Sequence, residues 1–264
     1  MKLLVRASIS LCFCSVLACN SGSGPEDQID QKPANQQENE APEVAESVIK
    51  PPKYPRLNNE NCVKFLKEYG QAHPEKKVKI TTSFGVIIVE LFEETPIHRA
   101  NFLYLIERDY YNPTEIVRVI KNFVVQGGNS EEVEPAQKRF LIGEYTLPAE
   151  FQPRGVHHRG ALAMSRSYEG NADKRSSAYD FYIVDGRRIS VGEIFDAKKK
   201  RSYTDEQLKI YQETGGAIHL DEEHTVFGRV IAGMDVVEKI SEVEVDKSNW
   251  PRKYIELRME ILKD

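Results

Sequence analysis

The chain has 264 residues, 29% of them charged and 40% apolar, with a formal net charge of −5. That length holds one substantial domain with a tail, and an acidic balance without a basic, aromatic-studded stripe excludes an electrostatic reader of nucleic acid. Three of the four cysteines, Cys12, Cys14 and Cys19, fall near the N-terminus, so only Cys62 belongs to the remainder and a disulfide-stapled scaffold is excluded.

Lys2 and Arg6 precede a short apolar stretch from Ala7 to Ala18, and Val16-Leu17-Ala18-Cys19 has the form of a bacterial lipobox. This predicts a lipoprotein signal peptide over residues 1–18, lipidation of Cys19, and a membrane-anchored, periplasm-facing protein. The apolar stretch is too short to span a bilayer. An ordinary cleaved signal or a short buried helix stays open as an alternative. Residues 19–52 are rich in Gln, Asn, Glu, Pro, Ser and Gly without periodicity, and such a segment cannot bury enough apolar surface to offset its ordering entropy. It is read as a disordered tether.

Residues 53–77 form a helical extension. Cys62, Phe65, Leu66 and Tyr69 have helical spacing within a helix expected from Asn59 to Tyr69 and stopped by Gly70, with Cys62 buried and inert. Val78, Ile80 and Thr82 alternate, Ser83-Phe84-Gly85 turns, and Val86 to Phe92 returns, which predicts a hairpin. Thr95-Pro96 opens a helix, threonine as N-cap and proline at the first helical position, with Phe102, Leu103 and Ile106 as its buried stripe.

Ile116-Val117-Arg118-Val119-Ile120 reads as a strand carrying a cation. With a side-chain period of two, Arg118 shares a face with Ile116 and Ile120, where an unpaired guanidinium is expensive unless something needs it. A second apolar run ends in Gln126-Gly127-Gly128, an amide followed by two glycines that allow close backbone approach. Between residues 185 and 217, Thr204-Asp205-Glu206-Gln207 has the form of a capping box opening a short helix through Tyr211. The basic run Lys198-Lys199-Lys200-Arg201 before it is a solvated charge cluster or one rim of a groove. Met234, Val236, Val237 and Ile240 have helical spacing, and Ile255, Leu257, Met259 and Ile261 alternate as a last strand. Many short strands with two dispersed helices predict a mainly β fold, an antiparallel closed sheet capped at its ends.

Val117-Arg118-Val119-Ile120 with Phe123-Val124-Val125-Gln126-Gly127-Gly128 resembles the signature of the cyclophilin-type peptidyl-prolyl isomerases. Gly160-Ala161-Leu162-Ala163-Met164-Ser165, Asp180-Phe181-Tyr182-Ile183-Val184, and His224-Thr225-Val226-Phe227-Gly228-Arg229-Val230 followed by Gly233-Met234-Asp235-Val236-Val237 continue it in order. The resemblance covers residues 78–264. It implies an eight-stranded antiparallel barrel with two capping helices, to which this chain adds the N-terminal helix and an extended 185–217 connection. It also implies isomerisation of Xaa-Pro bonds without a cofactor; together with the lipobox, this gives extended Xaa-Pro segments of unfolded or newly exported proteins as the expected substrates.

Carried over by motif, Arg118 is the catalytic donor and Gln126 holds the substrate backbone. Phe123, Val124, Tyr182, Leu220 and His224 form the proline pocket with Phe181 beneath, and Ser165-Arg166 pairs with the substrate main chain. Four positions depart from the family pattern. Val117 stands where a histidine usually precedes the arginine. His219 occupies the place of the tryptophan with which many eukaryotic members bind cyclosporin, implying weak cyclosporin binding. Asp180 stands for the usual glutamine, behind Tyr179 where a small residue is usual. A carboxylate there could pair with Arg118 and withhold it, or orient it, so Asp180 is expected to lower turnover; the alternative function is a proline-segment-binding chaperone with little turnover. His157-His158 and His219 with His224 lack zinc-enzyme spacing, so no metal site is expected.

Overall fold

The computed structural model describes residues 53–112 and 114–263. The expected signal peptide, Cys19 and the tether up to residue 52 lie outside the described residues.

A first helix, α1 (Cys62–Ala72), does not stop at Gly70 as expected but runs through it. Gly70 is buried against the next helix, where a Cβ would lie 3.0 Å from the Ala100 Cβ, so its missing side chain permits a close helix crossing instead of ending the helix. Leu66 is fully buried there, worth about 2 kcal/mol by area. The predicted hairpin follows as β1 (Lys77–Thr82) and β2 (Gly85–Leu91), in register from Lys77 opposite Glu90 to Thr82 opposite Gly85.

Helix α2 (Pro96–Glu107) begins where Thr95-Pro96 predicts, but Thr95 does not cap it. Its hydroxyl donates to the Phe92 carbonyl (3.3 Å), and the carboxylate of Glu150, far along the chain, accepts from the first free amides, Ile97 N (3.1 Å) and His98 N (2.9 Å). A carboxylate also complements the positive end of the helix dipole better than a hydroxyl.

Strands β3 (Glu115–Ile120) and β4 (Val124–Asn129) form a second hairpin. Helix α3 (Val133–Ile142) follows, and a two-residue ladder joins β5 (Thr146–Leu147) to β7 (Ser176–Ser177). Strands β6 (Ala161–Met164), β8 (Phe181–Val184), β9 (Val226–Ala232) and β10 (Arg258–Leu262) complete one eight-stranded antiparallel sheet in the order β10-β1-β2-β9-β6-β8-β4-β3. The sheet curls until its ends meet: Ile116 N donates to Ile255 O (3.0 Å) and Leu257 N to Thr114 O (2.8 Å). This is the expected curled, barrel-like antiparallel sheet, with α2 and α6 (Met234–Ser241) as its helices.

Alternation sorts the side chains into an inside and an outside. On β8, Phe181 and Ile183 enter the main core, whereas Tyr182 and Val184 join a smaller outer cluster with Val124, Ala161, Ala163, Leu220 and Val226. Inside, Phe102 meets Phe181 edge-on (5.6 Å, 79°) and Phe227 likewise (5.3 Å, 63°). The 185–217 connection folds as two helices, α4 (Val191–Lys198) and α5 (Asp205–Thr214). Helix α5 carries the predicted Thr204/Gln207 capping box; α4 has one of its own, Ser190/Glu193. Ile194, Ala197, Leu208 and Tyr211 pack with Val156 and Ile218 into a separate small core.

Candidate active site

Side chains distant in sequence reach one place because the register aligns them across the outer face of the sheet. Arg118 on β3 is opposite Gln126 on β4, Gln126 is opposite Tyr182 on β8, and Tyr182 is opposite Ala163 on β6. Directly opposed residues on one face lie about 5 Å apart, so this row is continuous. A groove of about 250 Å³ runs along it, floored by Tyr182, walled by Phe123, Val124, Leu220 and His224, and edged by Arg118, Gln126, Ser165, Arg166 and Tyr168.

The placement of Arg118 depends on a β-bulge. Ile116 pairs with Gly127 and Arg118 with Gln126, so two residues of β3 are spanned by one step of β4. The strict alternation expected for this strand therefore fails. Ile116 and Val119 both enter the main core, while Arg118 turns outward with Ile120 and is half-buried on the groove. Among the described residues its side chain has neither a hydrogen bond nor an ion pair. The two glycines after Gln126 do not serve the groove. Gly128 (φ +96°) would place a Cβ 2.3 Å from the Tyr179 carbonyl, and Gly127 one 2.7 Å from Leu257, so both let the chain's own interior close up.

Asp180 neither withholds nor orients Arg118. Its carboxylate accepts from the Ser177 hydroxyl (2.7 Å), its nearest cation is Arg139 at 4.0 Å, and it does not line the groove. The reason is local: the β5–β7 ladder brings Ser177 beside it, and Arg139 reaches over from α3 across the Tyr179 ring (4.5 Å). Phe181 lies on the opposite face of β8, in the main core. His219 is exposed at the rim, its imidazole stacked on Phe123 (5.4 Å, 27°). The 198–201 basic cluster forms no groove rim; Lys199 pairs with Asp196, and Arg201 donates to Pro153 O (3.0 Å).

Of the two residues expected to pair with substrate backbone, Ser165 is already engaged. Its N–H donates to Asp180 O and its carbonyl accepts from Ser177 N, both at 2.8 Å. Of the two, Arg166 is the one whose main chain makes no backbone hydrogen bond to the described residues. The Arg166 side chain, 5% exposed, is tied to Glu223 through Nη2–Oε2 (2.6 Å) and Nε–O (2.5 Å).

His224 is held neutral: burial first, then the neighbouring His157, push its pKa down to about 4. Because the Met164 carbonyl near Nδ1 (3.2 Å) can only accept, Nδ1 carries the proton and Nε2 accepts from the Tyr168 hydroxyl (2.8 Å). Tyr168 is a groove residue the sequence did not reveal. It sits in a polar loop between two motifs, with no periodicity to mark it.

Beneath the floor, the Tyr182 hydroxyl meets His157 Nε2 (3.0 Å), and His157 Nδ1 meets Asp221 Oδ1 (2.8 Å). Asp221 also accepts from His157 N (2.8 Å), Tyr203 (2.9 Å) and Tyr211 (2.8 Å). Burial raises the Asp221 pKa, but the bonds from His157 outweigh it and hold the carboxyl below its ordinary value. The buried polar floor is thus fully bonded, and it ties the α4–α5 connection to the groove. Among the described residues, no group of three or more His, Cys, Asp or Glu is arranged to hold a metal ion. The groove offers a fixed cation, an amide and an apolar aromatic slot: equipment for binding and polarising an amide rather than for nucleophilic or acid–base chemistry.

The chain is similar to several known proteins over the same region. A Cryptosporidium parvum cyclophilin-type peptidyl-prolyl cis-trans isomerase, solved in the presence of the dipeptide Ala-Pro, superposes with a TM-score of 0.52 at 22% identity, covering 72% of this chain and 100% of that one. Peptidyl-prolyl cis-trans isomerase-like 3 of Dictyostelium discoideum is 28% identical over 183 residues, 69% of this chain and 91% of that protein. A peptidyl-prolyl cis-trans isomerase of Acinetobacter baylyi is 29% identical over 167 residues, 63% and 72% of the two chains. Two longer relatives, from Streptococcus pyogenes (30% identical) and Rhizopus delemar (28%), are spanned over only 39% and 29% of their lengths. The profile of the cyclophilin-type peptidyl-prolyl cis-trans isomerase family matches residues 77–260, most of the chain and every strand that builds the groove, and the chain belongs to that family.

Proposed function

We propose that the protein is a peptidyl-prolyl cis-trans isomerase acting on extended Xaa-Pro segments. The observation that carries this reading is Arg118: a half-buried guanidinium without a protein partner among the described residues, in register beside Gln126 and facing an aromatic slot. An Xaa-Pro bond isomerises slowly because the amide resists twisting, with a barrier of roughly 18–20 kcal/mol. In the twisted state the proline nitrogen loses conjugation and becomes a hydrogen-bond acceptor. A guanidinium stays charged at every relevant pH and presents rigid donors, so Arg118 favours that state over either planar isomer. About 4 kcal/mol of such differential stabilisation speeds the reaction roughly a thousandfold. Phe123, Val124, Tyr182, Leu220 and His224 hold the proline ring, Gln126 and the Arg166 main chain hold the flanking peptide, and neutral His224 takes no part in proton transfer.

The test is the cis-to-trans rate of an Ala-Pro-Phe peptide with the parent and with Arg118→Ala. Acceleration by the parent that falls at least a hundredfold in the variant supports the reading; equal rates overturn it. Val16-Leu17-Ala18-Cys19 further supports a lipid anchor at Cys19 and a periplasm-facing protein assisting the folding of exported chains. Cys19→Ala is expected to move the protein from the membrane to the soluble fraction, and retention at the membrane would refute the anchor.

A further inference from the structure

Tyr168 lies on the edge of the groove and is 64% exposed, an unusual state for an aromatic ring whose other contacts are so well fixed. Its hydroxyl is held by His224 Nε2 (2.8 Å), and the Arg166 guanidinium lies 4.1 Å from its ring centre, covering one face. Arg166 is itself immobilised by Glu223, and Lys174 pairs with the other oxygen of that carboxylate (3.0 Å) and donates to Glu222 O (2.8 Å). The loop that carries Tyr168 is closed by Asn171, whose amide donates to Ser167 O (2.9 Å) and Arg175 O (2.8 Å). The ring is therefore fixed at its tip, on one face and through its loop, while most of the residue stays exposed at the edge of the groove.

We propose that Tyr168 is a preorganised platform for an aromatic side chain directly flanking the substrate proline, a subsite that selects aromatic-Pro or Pro-aromatic segments. This rests on the reading of the groove as a proline site. An exposed ring is costly to order at the moment of binding; one already immobilised gives its stacking energy without that cost. The Arg166 guanidinium is spent on Glu223, so the platform recognises a π face rather than a carboxylate.

The experiment measures, by NMR titration of the full chain, the affinities of Ala-Ala-Pro-Ala, Ala-Ala-Pro-Phe and Ala-Phe-Pro-Ala peptides for the parent, Tyr168→Phe and Tyr168→Ala. Circular dichroism checks that each variant is folded. At least one phenylalanine peptide is expected to bind the parent about two- to tenfold tighter than the all-alanine peptide. That ratio should be reduced in Tyr168→Phe, which keeps the ring but loses its tie to His224, and fall to near one in Tyr168→Ala. Equal affinities in the parent, or a ratio that survives in Tyr168→Ala, overturns the platform. If the all-alanine peptide binds while no aromatic preference appears, the platform alone is refuted. If no proline peptide binds, the proline-site reading falls and the platform with it.

Discussion

Removing the carboxylate of Asp221 should loosen both the α4–α5 connection and the floor of the groove. Asp221 is 5% exposed and accepts four hydrogen bonds, from His157 N, His157 Nδ1, Tyr203 and Tyr211. Alanine leaves the buried His157 amide and Tyr211 hydroxyl without an acceptor, at about 1–3 kcal/mol each, and Tyr203 regains water at its partly exposed tip. Asp221→Ala should therefore cost about 2–6 kcal/mol, read as a lower urea midpoint. Native-state hydrogen exchange should show protection lost first in Asp205–Thr214, before the sheet. The pH dependence has a definite sign. The folded pKa lies below the unfolded value near 3.9, so this stabilisation is present above pH 4 and lost as pH falls through the folded value. The gap between parent and variant should narrow in acid. A loss under 1 kcal/mol at pH 7, or exchange that begins in the sheet, would refute the argument.

His224, with its pKa pushed down to about 4 by burial, should show its imidazole NMR shifts titrating near that value; a midpoint above 6 would contradict a neutral imidazole held by Tyr168 and Met164. Because the unfolded value is near 6.5, its contribution, on the order of 3 kcal/mol, is complete above pH 6.5 and is lost as pH falls toward 4. Gly128→Ala forces a Cβ to within 2.3 Å of the Tyr179 carbonyl at φ +96°, and should destabilise by more than about 3 kcal/mol in thermal or urea unfolding. Asp180→Gln should change kcat/KM by less than about twofold, since the carboxylate faces Ser177 and Arg139; a tenfold gain would show that it does restrain Arg118.

The strands, the first hairpin and the helices at Pro96 and Met234 are legible because they express local rules: alternation, turn residues, proline at a helix start. What local rules miss is decided at long range. Glu150 takes the capping role from Thr95 although it lies more than fifty residues away. Gly70 reads as a stop signal because the sequence does not show the Ala100 Cβ that it must approach. The bulge at Val117 reverses which face Ile116 takes, a one-residue change of register that no pattern of apolar residues announces. In the groove, Arg118, Val124, Gln126 and Tyr182 lie together because they occupy paired strands, the other motif-borne residues are brought in by the turns and loops beside those strands, and Asp180 diverges because its partners come from the β5–β7 ladder and α3. Helix α3 escaped notice because it exposes Val133, Phe140 and Leu141 and so lacks a clean apolar stripe.

The segment before α1 has a mechanical meaning. Leu57 lies parallel to Gly143, with Leu57 N donating to Ile142 O (2.7 Å) and Glu144 N to Leu57 O (3.1 Å), and Gly143 has no side chain where the Leu57 carbonyl sits. Upstream, Lys53 Nζ and the Tyr54 hydroxyl are both fastened to Glu107 at the end of α2 (2.6 and 2.9 Å). A pull on the chain at Lys53 therefore loads α2 through Glu107 and α1 through Tyr69, which bonds the other Glu107 oxygen (2.6 Å), as well as the Leu57 seam. Force entering at Lys53 is thus spread over both helices and the turn after α3, on residues that do not line the groove.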